Sequence, residues 1–151
     1  MASKILVPVD FSPGSKPSVE YAAALATALQ STVTLFHVYQ MPDLMSSIVP
    51  GADRAVDAER DRAIAQKSLE SLRTDTQTKM HAAMSVLVVH GSPVEEILSL
   101  SRTGEFDMIV MGTHGRTGFQ RALMGSVAEA VVRRAHCPVL TIHLPFSHAT
   151  G

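Results

Sequence analysis

At 151 residues, with thirteen Lys and Arg against fourteen Asp and Glu and a net charge of −1, the chain has the size of one domain and can bury roughly 70% of its unfolded surface. No basic run exceeds the pair Arg133-Arg134, which speaks against a nucleic-acid footprint or a polybasic membrane patch. A lone cysteine excludes an internal disulfide framework and fits a reducing compartment, and no apolar run approaches the ~18 residues of a membrane span, so a cytoplasmic domain without membrane or nucleic-acid partners is expected.

Five short apolar, β-branched runs alternate with helical stretches. The N-terminal residues lead straight into the first strand, Lys4–Val9, too short a run for a secretory h-region. Asp10 follows it, then a turn cluster, Ser12-Pro13-Gly14-Ser15. The alanine-rich segment to about Gln30 places Val19, Ala22, Ala23, Ala26 and Leu29 near the spacing of a buried helix face. Thr32–Tyr39 is the second strand, and residues 40 to 52, with Pro42, Pro50 and Gly51, form a loop.

From Asp53 to about Gln77 the pairs Asp57/Arg60 and Glu59/Arg62 lie three apart, as on an exposed helical face, while Ala58, Ala65, Leu69 and Leu72 form the inner stripe. Ser85–Val89 is the third strand. Ser92-Pro93-Val94-Glu95 combines an N-cap serine, an N1 proline and a glutamate that completes a capping box, with Gly104 as the stop. Asp107–Met111 is the fourth strand. Ser126-Val127-Ala128-Glu129 opens the last helix with a second capping box, and Pro138–Ile142 is the fifth strand. Such alternation implies an α/β domain with a parallel sheet covered by helices on both faces. Residues 1–144 form that domain and 145–151 a loose tail.

The residues between the fourth strand and the last helix have the spacing Gly-x2-Gly-x9-Gly-Ser, from Gly112 through Gly115 to Gly125 and Ser126. This matches neither the dinucleotide fingerprint nor the P-loop. Gly112 and Gly115 permit positive φ and let bare backbone approach a ligand. Gly125 and Ser126 stand where a helix N-terminus favours an anion. Together these features point to a phosphate site; turn punctuation is the alternative. Ser126 can act as an N-cap, as a phosphate donor, or as both.

This pattern resembles the nucleotide-binding signature of the universal stress protein family. The resemblance extends over residues 3 to 143 and includes Val7-Pro8-Val9-Asp10-Phe11-Ser12, Leu35-Phe36-His37-Val38, Val89-His90-Gly91-Ser92-Pro93 and His136-Cys137-Pro138-Val139-Leu140. It implies a doubly wound five-stranded sheet of order 3-2-1-4-5, the adenine nucleotide alpha hydrolase-like arrangement, with a ligand crevice between the first and fourth strands. It implies binding of ATP, or of ADP or AMP, with Mg2+ accompanying the phosphates. The candidate binding residues are Pro8, Val9, Asp10, Val38, Met111, Gly112, His114, Gly115, Arg116, Gly125, Ser126 and Val127. Asp10 would accept from ribose hydroxyls or else form an Asx turn. The role of Val38, whose backbone would meet adenine, rests on the resemblance alone. Met111 is an apolar wall or a core residue, and His114 a phosphate donor or a plain loop residue. Arg116 and Arg121 screen a triphosphate or are solvated.

The remaining histidines show no metal-ligand spacing, and Cys137 reads as a small buried residue. No catalytic residue is identified: a Walker lysine is missing, and Asp10 is the one carboxylate assigned to the crevice. The expected function is a nucleotide-dependent stress-response module acting on an unidentified protein partner. A slow ATPase or autophosphorylating enzyme and a dimeric scaffold with a structural nucleotide are the alternatives. The resemblance implies pairing through the fifth strand, Val139–His143, and hence a homodimer; the strand is apolar, and an apolar sheet edge invites a partner strand.

Overall fold

The computed structural model describes residues 3–40, 54–114 and 124–144. Strand β1 (Lys4–Pro8) leads into α1 (Ser15–Leu29), β2 (Thr32–Tyr39), α2 (Arg54–Met80), β3 (Ala83–His90), α3 (Pro93–Thr103), β4 (Met108–Gly112), α4 (Ser126–Arg134) and β5 (Val139–Ile142). All strand pairs are parallel, in the order β3-β2-β1-β4-β5. The chain thus forms the doubly wound α/β sheet that the alternation and the resemblance imply.

Strand β1 shows how one short run organises two layers. Ile5, Leu6 and Val7 are all buried, and successive side chains of a strand point to opposite faces. Ile5 and Val7 pack with Val33, Leu35 and Val110, with Val19, Ala22, Ala23 and Ala26 of α1, and with Ala65 and Leu69 of α2. Leu6 joins Phe36, Ile109 and Met111 under Ile97 of α3 and Ala128 and Val131 of α4. A strand covered on both faces needs an unbroken apolar run. Complete burial of one such side chain contributes about 1.5–3 kcal/mol.

Helix ends depart from the sequence expectations. Three helices stop at residues with left-handed φ that are not glycine: Gln30 (φ 54), His81 (φ 53) and Glu105 (φ 55). Gly104, expected to be a left-handed stop, has φ −85. It is required for a different reason, because a Cβ there would lie 2.6 Å from the Phe106 ring and 2.9 Å from the Leu100 carbonyl oxygen. Leu29, expected on the inner face of α1, is the helix's last residue and is 54% exposed. Neither capping box forms. Ser92 is the N-cap of α3 but makes no side-chain cap bond, and Glu95 instead pairs with Arg134. In α4 the N-cap is Gly125, Ser126 is the first helical residue, and Glu129 pairs with Arg133.

Strand limits shift by a residue or two. β1 ends at Pro8, β3 runs two residues earlier and one later than expected, and β5 begins after Pro138, whose carbonyl still accepts from Ile109 N–H at 3.0 Å. His143, included in the expected pairing segment, lies just past β5. The expected tail, 145–151, lies outside the described residues. Among the described residues no helix is long and apolar enough to cross a membrane.

Candidate functional site

Two turns meet above the carboxyl ends of β1 and β4, the strands between which the winding direction reverses. After β1, Val9 N–H donates to the Phe36 carbonyl at 2.7 Å and the chain turns away. Asp10 Oδ1 accepts from Ser12 N–H at 3.0 Å and from the Ser15 hydroxyl at 2.9 Å. Ser15 Oγ in turn accepts from Asp10 N–H at 3.3 Å. Phe11, inside this turn, has φ 60. Asp10 therefore forms the Asx turn that was the alternative to a ligand role, and it lines the cavity as well.

After β4, Gly112 abuts the start of α1. A Cβ on it would lie 3.5 Å from both the Gly14 carbonyl oxygen and Ser18 Oγ, an ordinary contact. Its φ is not positive. Neither left-handed geometry nor packing against α1 therefore demands a glycine at this position, and Gly112 lines the cavity. Thr113 is buried, its Oγ1 3.0 Å from His114 Nδ1 and 3.2 Å from His143 Nδ1. The Thr113 carbonyl accepts from Gly125 N–H, which ties the start of α4 to the end of β4. That leaves the N–H groups of Ser126, Val127 and Ala128 as the first-turn donors for which a helix has no internal acceptor. Gly125 itself adopts φ −70, ψ 165.

Between the turns lies a cavity of about 730 Å³, within the span of about 300–1,000 Å³ common for small-molecule sites. Pro8 at the end of β1, Val9 and Asp10 in the turn after it, and Val38 of β2 line it. Met111, Gly112 and His114 line it from β4, and Gly125, Ser126 and Val127 from α4. Every candidate binding residue among the described ones is thus brought to one cavity. Gly115, Arg116 and Arg121 lie outside the described residues, as does most of the loop expected over 40–52. Met111 is at once core and wall, 5% exposed and packed with Phe36 and Ile97.

Sequence reasoning missed several walls. His37 and Tyr39 contribute from β2 and Gln40 from just past it, Pro93 and Ile97 from α3, Ser12 and Gly14 from the first turn, and Ser15 from the start of α1. A signal for some of them was present: in a parallel sheet every strand delivers its carboxyl end to the same side. The end of β2 and the start of the helix after β3 were therefore candidates by position. Among the described residues no three His, Cys, Asp or Glu side chains converge in a metal-holding group. Asp10 and Glu129 are the carboxylates of the cavity wall among those residues.

Titration is perturbed away from the cavity. The Arg134 guanidinium, hydrogen-bonded at 2.8 Å, holds the Glu95 carboxyl below its ordinary range and is itself raised by that carboxylate. Burial pushes the Cys137 thiol up. Cys137 is half-buried against the α3–α4 layer rather than enclosed; a raised thiol is a poor nucleophile.

Comparison with known proteins agrees with this architecture. The sequence model of the universal stress protein family matches residues 1–143. Universal stress protein MJ0531 of Methanocaldococcus jannaschii is 31% identical over 144 residues, covering 94% of this chain and 82% of that protein. The solved structure of MJ0577, from the same organism, superposes with a TM-score of 0.82 at 27% identity, covering 97% of this chain and 99% of that one. An Arabidopsis thaliana universal stress family protein, solved with AMP bound, shares the fold at a TM-score of 0.67 and 18% identity, covering 95% of this chain and 93% of its own.

Proposed function

The chain belongs to the universal stress protein family, and from that premise we propose that it binds an adenine nucleotide and acts, through the bound state, as a regulatory or interaction module. One observation carries the reading. A cavity of about 730 Å³ has the Asp10 turn on one side and the start of α4 on the other. A carboxylate suits ribose hydroxyls, and uncapped helix N–H groups suit phosphate oxygens. An adenosine phosphate carries both groups, ribose hydroxyls at its middle and phosphate at one end. AMP in the Arabidopsis relative supports the same ligand class.

Binding is favoured over turnover by what surrounds Asp10. Its Oδ1 is engaged by Ser12 and Ser15, whereas a catalytic carboxylate must hold a metal or orient a nucleophile. Mg2+ would arrive with the phosphates of ATP, and the same cavity would take ADP or AMP. Occupancy would act on a protein partner by favouring one arrangement of the turns over another. A cytoplasmic homodimer completes the proposal: β5 is an edge strand whose Val139, Leu140 and Ile142 are each only partly covered, a surface suited to strand pairing. Light scattering at tens of micromolar should give twice the chain mass, and a monomer would remove that part.

The direct test is to denature the purified protein, identify released nucleotide by mass spectrometry, and titrate the refolded protein with ATP and Mg2+. Adenine nucleotide in the supernatant, or micromolar affinity lost in Gly125→Val, is expected. Absence of both would leave the scaffold reading in its place.

A further inference from the structure

We propose that His37 is a positioning residue that ends the β1–β2 ladder one bond early and thereby presents the peptide edge of Val38 to the cavity; this deepens, and rests on, the nucleotide-binding reading. In a parallel ladder, alternate residues of a strand turn both N–H and C=O toward one neighbour, each bonding to residues on either side of its register partner. The last register pair of β1 and β2 is Pro8 with Phe36. Val9 N–H then reaches the Phe36 carbonyl at 2.7 Å. Continuation of the ladder would bring Val38 N–H to the Val9 carbonyl. Among the described hydrogen bonds, that carbonyl instead meets His37 Nδ1 at 2.7 Å.

A carbonyl oxygen only accepts, so Nδ1 is the protonated nitrogen of this ring. The imidazole has taken the place of a backbone donor. The same ring lies 4.8 Å from that of Phe11, tilted by 45°, and Phe11 is the left-handed residue in the turn by which the chain leaves β1. His37 therefore grips the chain on both sides of Asp10, by the carbonyl before it and the ring after it.

The consequence falls on Val38. Two residues beyond Phe36, it turns its N–H and C=O toward the side that β1 has vacated, and it lines the cavity. The family resemblance assigns this strand edge to adenine, and a donor beside an acceptor fits a purine that carries an amino group beside a bare ring nitrogen. Had the Val9 carbonyl taken the Val38 N–H, half of that pair would be spent within the sheet.

Two measurements test this. AMP is titrated by calorimetry into nucleotide-stripped protein as wild type, His37→Phe and His37→Asn. Phenylalanine keeps a ring against Phe11 without a donor, and the asparagine amide restores a donor near the position of Nδ1. We expect His37→Phe to weaken AMP by about tenfold or more, and His37→Asn to return to within about threefold of wild type. Equal affinity of His37→Phe and wild type would overturn the proposal. Independently, amide exchange followed by NMR in the stripped wild-type protein should show Val38 N–H exchanging faster than Phe36 N–H and slowing when AMP is added. A Val38 amide already protected without AMP would overturn the proposal even if His37→Phe failed to fold. Wild-type protein that binds no AMP, ADP or ATP would instead sink the nucleotide reading, while the exchange comparison in the stripped protein would still decide how the ladder ends.

Discussion

Both β1 and β4 deliver their ends to the same crevice, yet the turns that follow are built in opposite ways. After β1, side chains close the turn upon itself: Asp10 Oδ1 holds Ser12 N–H and the Ser15 hydroxyl, and Ser15 Oγ holds Asp10 N–H. After β4, backbone does the joining, through the Thr113 carbonyl and Gly125 N–H, and among the described residues α4 starts with no side-chain cap. A turn satisfied from within can hold a shape without a ligand. A helix start left uncapped retains its attraction for an anion. The first turn is thus suited to rigidity and the second to charge.

That contrast can be broken most strongly at Ser126. A carboxylate in the first turn of a helix stabilises it by about 0.3–1 kcal/mol, but it would occupy the field meant for phosphate. Ser126→Asp should therefore raise the melting temperature of the empty protein slightly while lowering ATP affinity by about tenfold or more. Calorimetry and thermal melts of the same sample check both signs, and a loss of stability would count against an uncapped α4.

On the other side of the crevice, Asp10→Ala removes the acceptor of two hydrogen bonds and should cost about 1–3 kcal/mol, whereas Asp10→Asn keeps an Oδ1 and should cost less than half as much. Urea midpoints of the pair measure this; similar losses in both would mean that charge, not turn geometry, holds the segment. If Asp10 were catalytic, Asp10→Asn would abolish any ATP turnover, and unchanged turnover is expected. A smaller effect belongs to Ser126→Ala. Because no cap bond is made, it should change stability by under about 0.5 kcal/mol, against about 1 kcal/mol for a working N-cap serine.

The smallest effect lies outside the crevice. Glu95 is held below its ordinary value of 4.5 by Arg134. A depressed folded-state value means that the stabilisation is present above the unfolded value and fades as pH falls through the folded one. Both partners are solvated, so wild type and Glu95→Gln should melt alike at pH 7 within error, with any difference narrowing further below pH 4.5.

The same two turns mark the limit of what could be read from sequence. Five apolar runs predicted five strands, and β2 matched residue for residue, because β-branched runs bounded by turn residues have few other uses. Strand order needed the family resemblance, since periodicity is blind to which strands are neighbours. The start of α4 was misjudged by one residue: Gly125 is the N-cap, and Glu129 pairs with Arg133 four residues on instead of closing a capping box. Arg134 is distant in the chain from Glu95, and no local pattern could reveal that pairing. Helix stops were obscured because Gln30, His81 and Glu105 take the left-handed conformation in place of glycine. In the crevice, Asp10 and the glycine spacing were visible as motifs. His37 and Ile97 were not, because their value lies only in what the fold sets beside them.

The order β3-β2-β1-β4-β5 also bears on how the chain is made. Within the domain the central strand, β1, is made before either of its neighbours, and the second of them, β4, is not synthesised until Met108–Gly112. Until then a nascent chain carrying β1, β2 and β3 would have one flank of its central strand bare, the kind of open edge that invites wrong pairings. Translation of the stretch between β3 and β4 is therefore the interval in which a chaperone, or a pause in elongation, would most alter the yield of folded protein.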